Sequence, residues 1–257
     1  MIPDPVASFF YENQNLLWLI TLALDLSMTL LMYRFFGRLG LIASIVLAIL
    51  LANLNGPKLT VIMGMETSLG VIFYSSIFFA TDLLSEKHGR AAATQAVLLG
   101  FGVSVVIVIM MSVSLLYLPS TRPESVVFSS EIHQAFSRIM DFTPRFVLGS
   151  LFAYLVSQSF DVWFFHQVKK WTDGKHLWIR NNLSTITSQA LDTVIYATVV
   201  WWGIFDLETA FQLALAQYSF KVFIAAFDTP FIYWARSWDV SPLGTDSLYT
   251  AQDAREK

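Results

Sequence analysis

The chain has 257 residues, 55% of them hydrophobic and 14% charged, with a mean hydropathy of +0.57. Soluble domains carry about 25% charged residues, so this composition points to a membrane protein. A net charge of −3 removes any bulk electrostatic case for a nucleic-acid partner, and the lack of Cys excludes disulfides and thiolate metal sites.

Residues 1–15, beginning MIPDPVASFFYENQ, carry no basic stretch and no cleavage motif, so they do not read as a signal peptide. Seven apolar segments follow, each long enough or nearly so to cross about 30 Å of hydrocarbon at 1.5 Å per residue. They are Leu16–Phe36, Leu39–Leu54, Leu59–Leu84, Ala91–Leu118, Arg145–Val168, Leu183–Phe205 and Glu208–Trp234. The second is short and stops at Asn55-Gly56-Pro57. Backbone groups cannot stay unpaired in lipid, and no alternating barrel pattern is present, so the segments are helices. The fold class is therefore an all-α polytopic membrane protein, a bundle of six to seven transmembrane helices. Residues 16–236 form one transmembrane domain, and 237–257 form a loose polar tail.

Lys and Arg set the orientation. With the N-terminus outside, the inner side collects eleven, from Arg34 to Lys257, and the outer side holds Lys58, Arg122, Arg138 and Arg145. That bias predicts a cytoplasmic C-terminus. The longest loop lies between the fourth and fifth spans. Within it Ile132, Phe136, Ile139 and Met140 repeat at helical spacing, which predicts a short amphipathic helix on the outer interface. It acts either as a lid over an entrance or as a passive connector.

Six ionisable residues fall inside the spans: Asp25, Glu66, Asp161, Asp192, Lys221 and Asp228, with Asp82 at the inner end of the third. Each interior charge costs about 2.5–3.5 kcal/mol on the insertion scale, so the set must face the bundle interior, pair or carry protons. A trio repeats. Ser157-Gln158-x-x-Asp161 recurs as Ser188-Gln189-x-x-Asp192, and each copy occupies about 100° of helix circumference. Gln217, Lys221 and Asp228 share one face of the last span, and Ser68, Ser75, Asp82 and Glu86 form one stripe on the third. Four helices thus aim a carboxylate at similar depth. Alternatively, Asp161, Asp192 or Asp228 simply pairs with Lys221 or Arg180 and locks helix register. As a binding kit, the acids accept from N–H donors, and Gln158, Gln189 and Asn182 donate and accept. Phe73, Tyr74, Phe165, Tyr196 and Trp163 can stack on a flat ring. A planar heterocycle rich in N–H groups fits, as does a small organic cation.

The stretches FFATDLLSEKHGR (Phe78–Arg90), LWIRNNLSTITSQALDT (Leu177–Thr193), FDTPFIYW (Phe227–Trp234) and SQSFDVWFF resemble the queuosine precursor transporter family, also catalogued among vitamin uptake transporters. The resemblance covers about residues 38–236. It implies import of 7-deazaguanine precursors of the tRNA nucleoside queuosine, the cyano and aminomethyl forms, across the bacterial inner membrane. It also implies a core similar to the six-helix substrate-binding subunits of energy-coupling-factor transporters, with the first span as an added N-terminal helix.

For such a base, Asp161 and Asp192 are expected to grip the N–H edge, a bidentate charge-assisted contact. Gln158 and Gln189 would take the remaining ring polar atoms, and Lys221 or Asn182 the ring carbonyl. Asp228 and Glu66 would hold an aminomethyl ammonium or a coupling proton. Asp82, Phe73, Tyr74 and Tyr196 complete the expected site. No cofactor and no metal are implied, lipid is the surrounding partner, and a homo-oligomer is allowed.

Two other classes of protein share this composition. The four His lie near or beyond helix ends, and neither a Gly-x-Ser-x-Gly nor an HExxH motif occurs, which disfavours an intramembrane enzyme. A binding subunit for another small heterocyclic vitamin or nucleobase, energised by a separate partner, remains the alternative. No Walker motif is present, so this chain does not hydrolyse ATP.

Overall fold

The computed structural model describes residues 4–56, 58–140, 144–201, 203, 206–238 and 240. Helices dominate: α1 (Asp4–Glu12), α2 (Gln14–Asn55), α3 (Gly70–Ser114), α4 (Val126–Met140), α5 (Pro144–Trp171), α6 (Leu177–Tyr196) and α7 (Leu207–Arg236). A π-helical turn, Ala197–Trp201, extends α6. α2, α3 and α7 are long and apolar enough to cross a membrane. α5 and α6 are less apolar because they carry the two Ser-Gln-x-x-Asp trios on their inward faces.

The two longest helices are not rods. A straight helix of 45 residues would run about 68 Å. α2 breaks at Gly37, where φ is 57° and ψ −135°. A Cβ on Gly40 would collide with the Met32 carbonyl, eight residues away and about 12 Å distant along a straight axis. α2 therefore doubles back. α3 breaks at Gly89, where φ is 82° and ψ 174°. A Cβ on Gly70 would meet Ala52 and Gly56, and one on Gly100 would meet Ile49. Both arms of α3 thus rest on one stretch of α2, which requires the same reversal. Glycine alone tolerates these backbone angles without strain.

One correction concerns Leu59–Ser68, expected as the start of the third span. It is a β-hairpin, β1 (Leu59–Ile62) against β2 (Met65–Ser68), with Leu59 opposite Ser68 and Ile62 opposite Met65. Met63 and Gly64 both have positive φ, the geometry of a two-residue turn that matches strand twist. β-branched Thr60, Val61 and Ile62 favour the strand. Glu66 therefore sits on β2, outside any long helix.

The amphipathic helix expected after the fourth span is α4, with Val127, Phe128 and Ile132 exposed. The side chain of Met140 and residues 241–257, most of the expected tail, lie outside the described residues. Within the C-terminal segment, Trp238 stacks on Tyr33 at 6.3 Å, and Lys87 Nζ donates to the Trp238 carbonyl at 2.8 Å.

The burial pattern suits lipid. Leu24, Met28, Leu98, Val106 and Met110 point outward, each more than half exposed. Asp82, Asp161, Arg180, Asn181, Ser188, Asp192 and Asp228 are buried. Apolar residues from α2, α3 and α7 seal one side of this interior, with Trp18 against Phe220 at 5.3 Å.

Candidate substrate cavity

A cavity of about 520 Å³ opens at the end of the bundle that carries the β-hairpin. Its wall takes Ile49 and Asn53 from α2, Glu66, Thr67 and Ser68 from β2, and Tyr74 and Ile77 from the first arm of α3. The second arm of α3 adds Ser104, Ile107 and Met111, and α4 adds Arg138 and Ile139. Tyr154 of α5, Asp192 and Tyr196 of α6, and Gln217 and Lys221 of α7 complete it. A mostly apolar concavity with a few convergent polar groups is the usual form of a small-molecule site.

The polar groups form one connected set. Lys221 Nζ lies 2.6 Å from Asp192 Oδ2. Tyr74 donates its hydroxyl to Asp192 Oδ1 at 2.6 Å, and Ser157 donates to the same oxygen at 3.2 Å. The Lys221 ammonium also stands 5.1 Å from the Tyr74 ring centroid, a cation–π contact. The Lys221 ammonium and the Asp192 carboxylate satisfy each other. Asp192 and Lys221 are 4% and 5% exposed, so the pair is nearly dry. Asp192 does pair with Lys221, one of the contacts named in the register-locking alternative.

Below the cavity lies a sealed polar layer. Thr185 donates to Asp82 Oδ2 at 2.9 Å, Ser188 donates to Asp161 Oδ1 at 2.8 Å, and Asn181 Nδ2 donates to Asp228 Oδ1 at 3.1 Å. Gln158 Oε1 accepts from Thr81 at 3.1 Å, while both polar ends of Gln189 are buried and meet no hydrogen-bond partner among the described residues.

Beyond this layer, at the Gly89 end, Glu86 gathers three cations. Arg180 reaches it through Nη2 at 2.8 Å and Nε at 3.1 Å, a two-point grip. Lys169 Nζ lies at 3.0 Å and Arg236 Nε at 3.2 Å. One carboxylate on α3 thereby ties down α5, α6 and α7. The bundle is closed at this end and open at the other.

Of the residues expected in the site, Asp192, Lys221, Tyr74, Tyr196 and Glu66 line the cavity. Asp82, Asp161 and Asp228 do not, and neither do Gln158 and Gln189. All five are buried elsewhere in the interior. Asn182 turns away, donating to the Trp178 carbonyl at 2.9 Å and to Thr229 at 2.7 Å, and its neighbour Asn181 meets the acid instead. Phe73 is outside the lining. Tyr154 and Arg138 are lining residues that the sequence reading did not single out. Tyr154 stands three residues before Ser157 on the same helical face, and that spacing is the sequence signal that marks it.

A polar-floored cavity buried in a membrane bundle, closed at one end by ion pairs, is the architecture of a solute carrier. Comparison with known proteins agrees. Residues 68–235 match the family model described as "Putative vitamin uptake transporter", and the chain belongs to that family. It is 34% identical over 224 residues to the "Probable queuosine precursor transporter" of Bacillus subtilis (strain 168), covering 86% of this chain and 94% of that protein. It is 25% identical over 167 residues to the "Queuosine precursor transporter" of Escherichia coli (strain K12), covering 64% of this chain and 70% of that protein. No solved structure matches. Family membership makes transport, not catalysis, the class of activity.

Proposed function

We propose that the chain imports a 7-deazaguanine precursor of queuosine across the bacterial inner membrane and binds it on Asp192 and Lys221. The observation that carries this reading is the Asp192–Lys221 contact of 2.6 Å at the cavity floor. The pair offers a carboxylate and an ammonium side by side. A deazaguanine presents two N–H groups on one edge and a ring carbonyl beside them, so it can replace the internal ion pair with two charge-assisted contacts. Tyr74 and Tyr196 supply flanking rings. Glu66, on β2 at the mouth, suits the ammonium of an aminomethyl substituent.

The fold accommodates seven crossings: two arms of α2, two of α3, then α5, α6 and α7. The first arm of α2 corresponds to the helix added to a six-helix core of the energy-coupling-factor kind. With the C-terminus cytoplasmic, the cavity faces outward and Glu86 closes the inner side. α4, which contributes Arg138 and Ile139 to the wall, is then positioned to cover the entrance.

Growth rescue tests the reading. The chain is expressed in a bacterium unable to make queuosine and lacking its own importer, with nanomolar 7-cyano- or 7-aminomethyl-7-deazaguanine supplied. Queuosine should appear in its tRNA, and D192N should abolish it. Absence of queuosine with the wild-type chain correctly inserted overturns the assignment.

A further inference from the structure

The cavity leaves the most unusual part of the interior unused. Asp82 on α3 and Asp161 on α5 interact side chain to side chain. They are 1% and 0% exposed. Hydroxyls of α6 hold one oxygen of each, Thr185 on Asp82 Oδ2 and Ser188 on Asp161 Oδ1, and Ser184 also stands beside Asp161. The other two oxygens, Asp82 Oδ1 and Asp161 Oδ2, are sealed from solvent and meet no donor among the described residues.

The surrounding charges do not offset the pair. α7 contributes another acid, Asp228, which acts on both and is held by Asn181 of α6. The α7 ammonium, Lys221, is engaged by Asp192. One turn along α3 from Asp82, Glu86 occupies Lys169 of α5, Arg180 of α6 and Arg236 of α7. α2 brings a further acid to this arm of α3, Asp25, beside Ser76. Two ionised carboxylates in contact, dry and without a cation, repel each other and strand two acceptors. A single proton removes both problems. One acid becomes an O–H donor, the other its acceptor, and the pair drops from two negative charges to one.

We infer that Asp82 and Asp161 bind one proton between them, forming a proton site separate from the substrate cavity and released when the Gly89 end opens. A metal ion suits the site less well, because the described residues contain no group of three His, Asp or Glu placed to hold one. The link to transport is geometric and rests on the import reading above. The pair lies between the cavity floor and the Glu86 ion pairs. Cargo leaving toward the Gly89 end requires α3 to part from α5 and α6, which lets water reach both acids. Hydrated carboxylates ionise separately, so the proton leaves into that water with the cargo. Once that end has closed, a proton from the outer side crosses the Asp192 floor of the cavity and reloads the pair, so each cycle carries one proton inward with the cargo.

Two measurements test this on the full chain. Infrared spectra of the purified protein in lipid nanodiscs, without substrate, should show a protonated-carboxyl stretch at neutral pH that D82N and D161N each remove. In vesicles, an acid-outside gradient should accelerate uptake of labelled 7-cyano-7-deazaguanine at least threefold, and an imposed Na+ gradient should not. D82N and D161N should lose gradient-driven accumulation more than tenfold yet still exchange labelled for unlabelled base, since Asn reproduces the neutral partner. A carboxyl band untouched by both substitutions, uptake indifferent to the proton gradient, or uptake driven by Na+ overturns the proposal. If a variant loses exchange as well, the wild-type gradient response decides. If wild-type protein neither binds nor exchanges the base, the substrate assignment fails, and the infrared band alone still judges the proton site.

Discussion

Lys221 holds its ammonium 2.6 Å from Asp192 Oδ2 while standing over the ring of Tyr74, the residue that donates to the opposite Asp192 oxygen. With Ser157 of α5 on that same oxygen, four helices meet at one carboxylate. Removing the acid alone strands a buried cation. D192N is expected to cost about 3–5 kcal/mol of stability and to abolish uptake. D192N/K221M should recover most of the thermal stability without recovering uptake. Melting curves in detergent, run beside uptake assays, separate the two effects.

Tyr74→Phe keeps the ring and deletes one donor. The loss expected is about 1 kcal/mol of ligand affinity, roughly fivefold in KM, with the maximal rate nearly unchanged. Initial-rate uptake over a range of base concentrations reads the split. A large fall in maximal rate with unaltered KM would remove Tyr74 from ligand recognition.

Glu86→Gln preserves shape but leaves Arg180, Lys169 and Arg236 without their shared anion. The Gly89 end should then open more often. The sequence contains no Cys, so an introduced thiol is unique. Ser184 is fully buried below the cavity. In S184C/E86Q, labelling by an impermeant maleimide from the Gly89 side should run about tenfold faster than in S184C, equivalent to a shift of 1.4 kcal/mol. Equal rates would show that the ion pairs do not hold this end shut.

Gly89→Ala isolates backbone strain. A Cβ there meets nothing within 4 Å, yet φ is 82° and ψ 174°, a region L-residues avoid. The substitution should destabilise the protein by about 1–3 kcal/mol, read as a lowered melting temperature, although it creates no clash.

Much of this fold is legible in the sequence, because runs of apolar residues in a charge-poor chain have few alternatives. The reversals at Gly37 and Gly89 coincide with the gaps between expected spans. The hairpin was not legible. Leu59–Ser68 continues the apolar run of α3, and hydropathy cannot separate a short strand from a helix turn. The site was legible only as a set of polar positions. Helical spacing shows which residues share a face but not at what depth a neighbouring helix seals them. Asp161 and Asp192 look equivalent in sequence, yet one is sealed and the other opens on the cavity. Asn182 fails by a single position, about 100° of rotation, which exchanges it with Asn181.

The repeated trio has a mechanical meaning. Ser157 of the first copy donates to Asp192 of the second, and Ser188 of the second donates to Asp161 of the first. Two reciprocal clasps, spaced one turn apart along antiparallel helices, forbid sliding: a slip of one residue unfastens both together. α5 and α6 must therefore travel as one plank. Whatever rocks during a cycle does so by pivoting against that plank, with the α3 and α7 arms as the moving jaws.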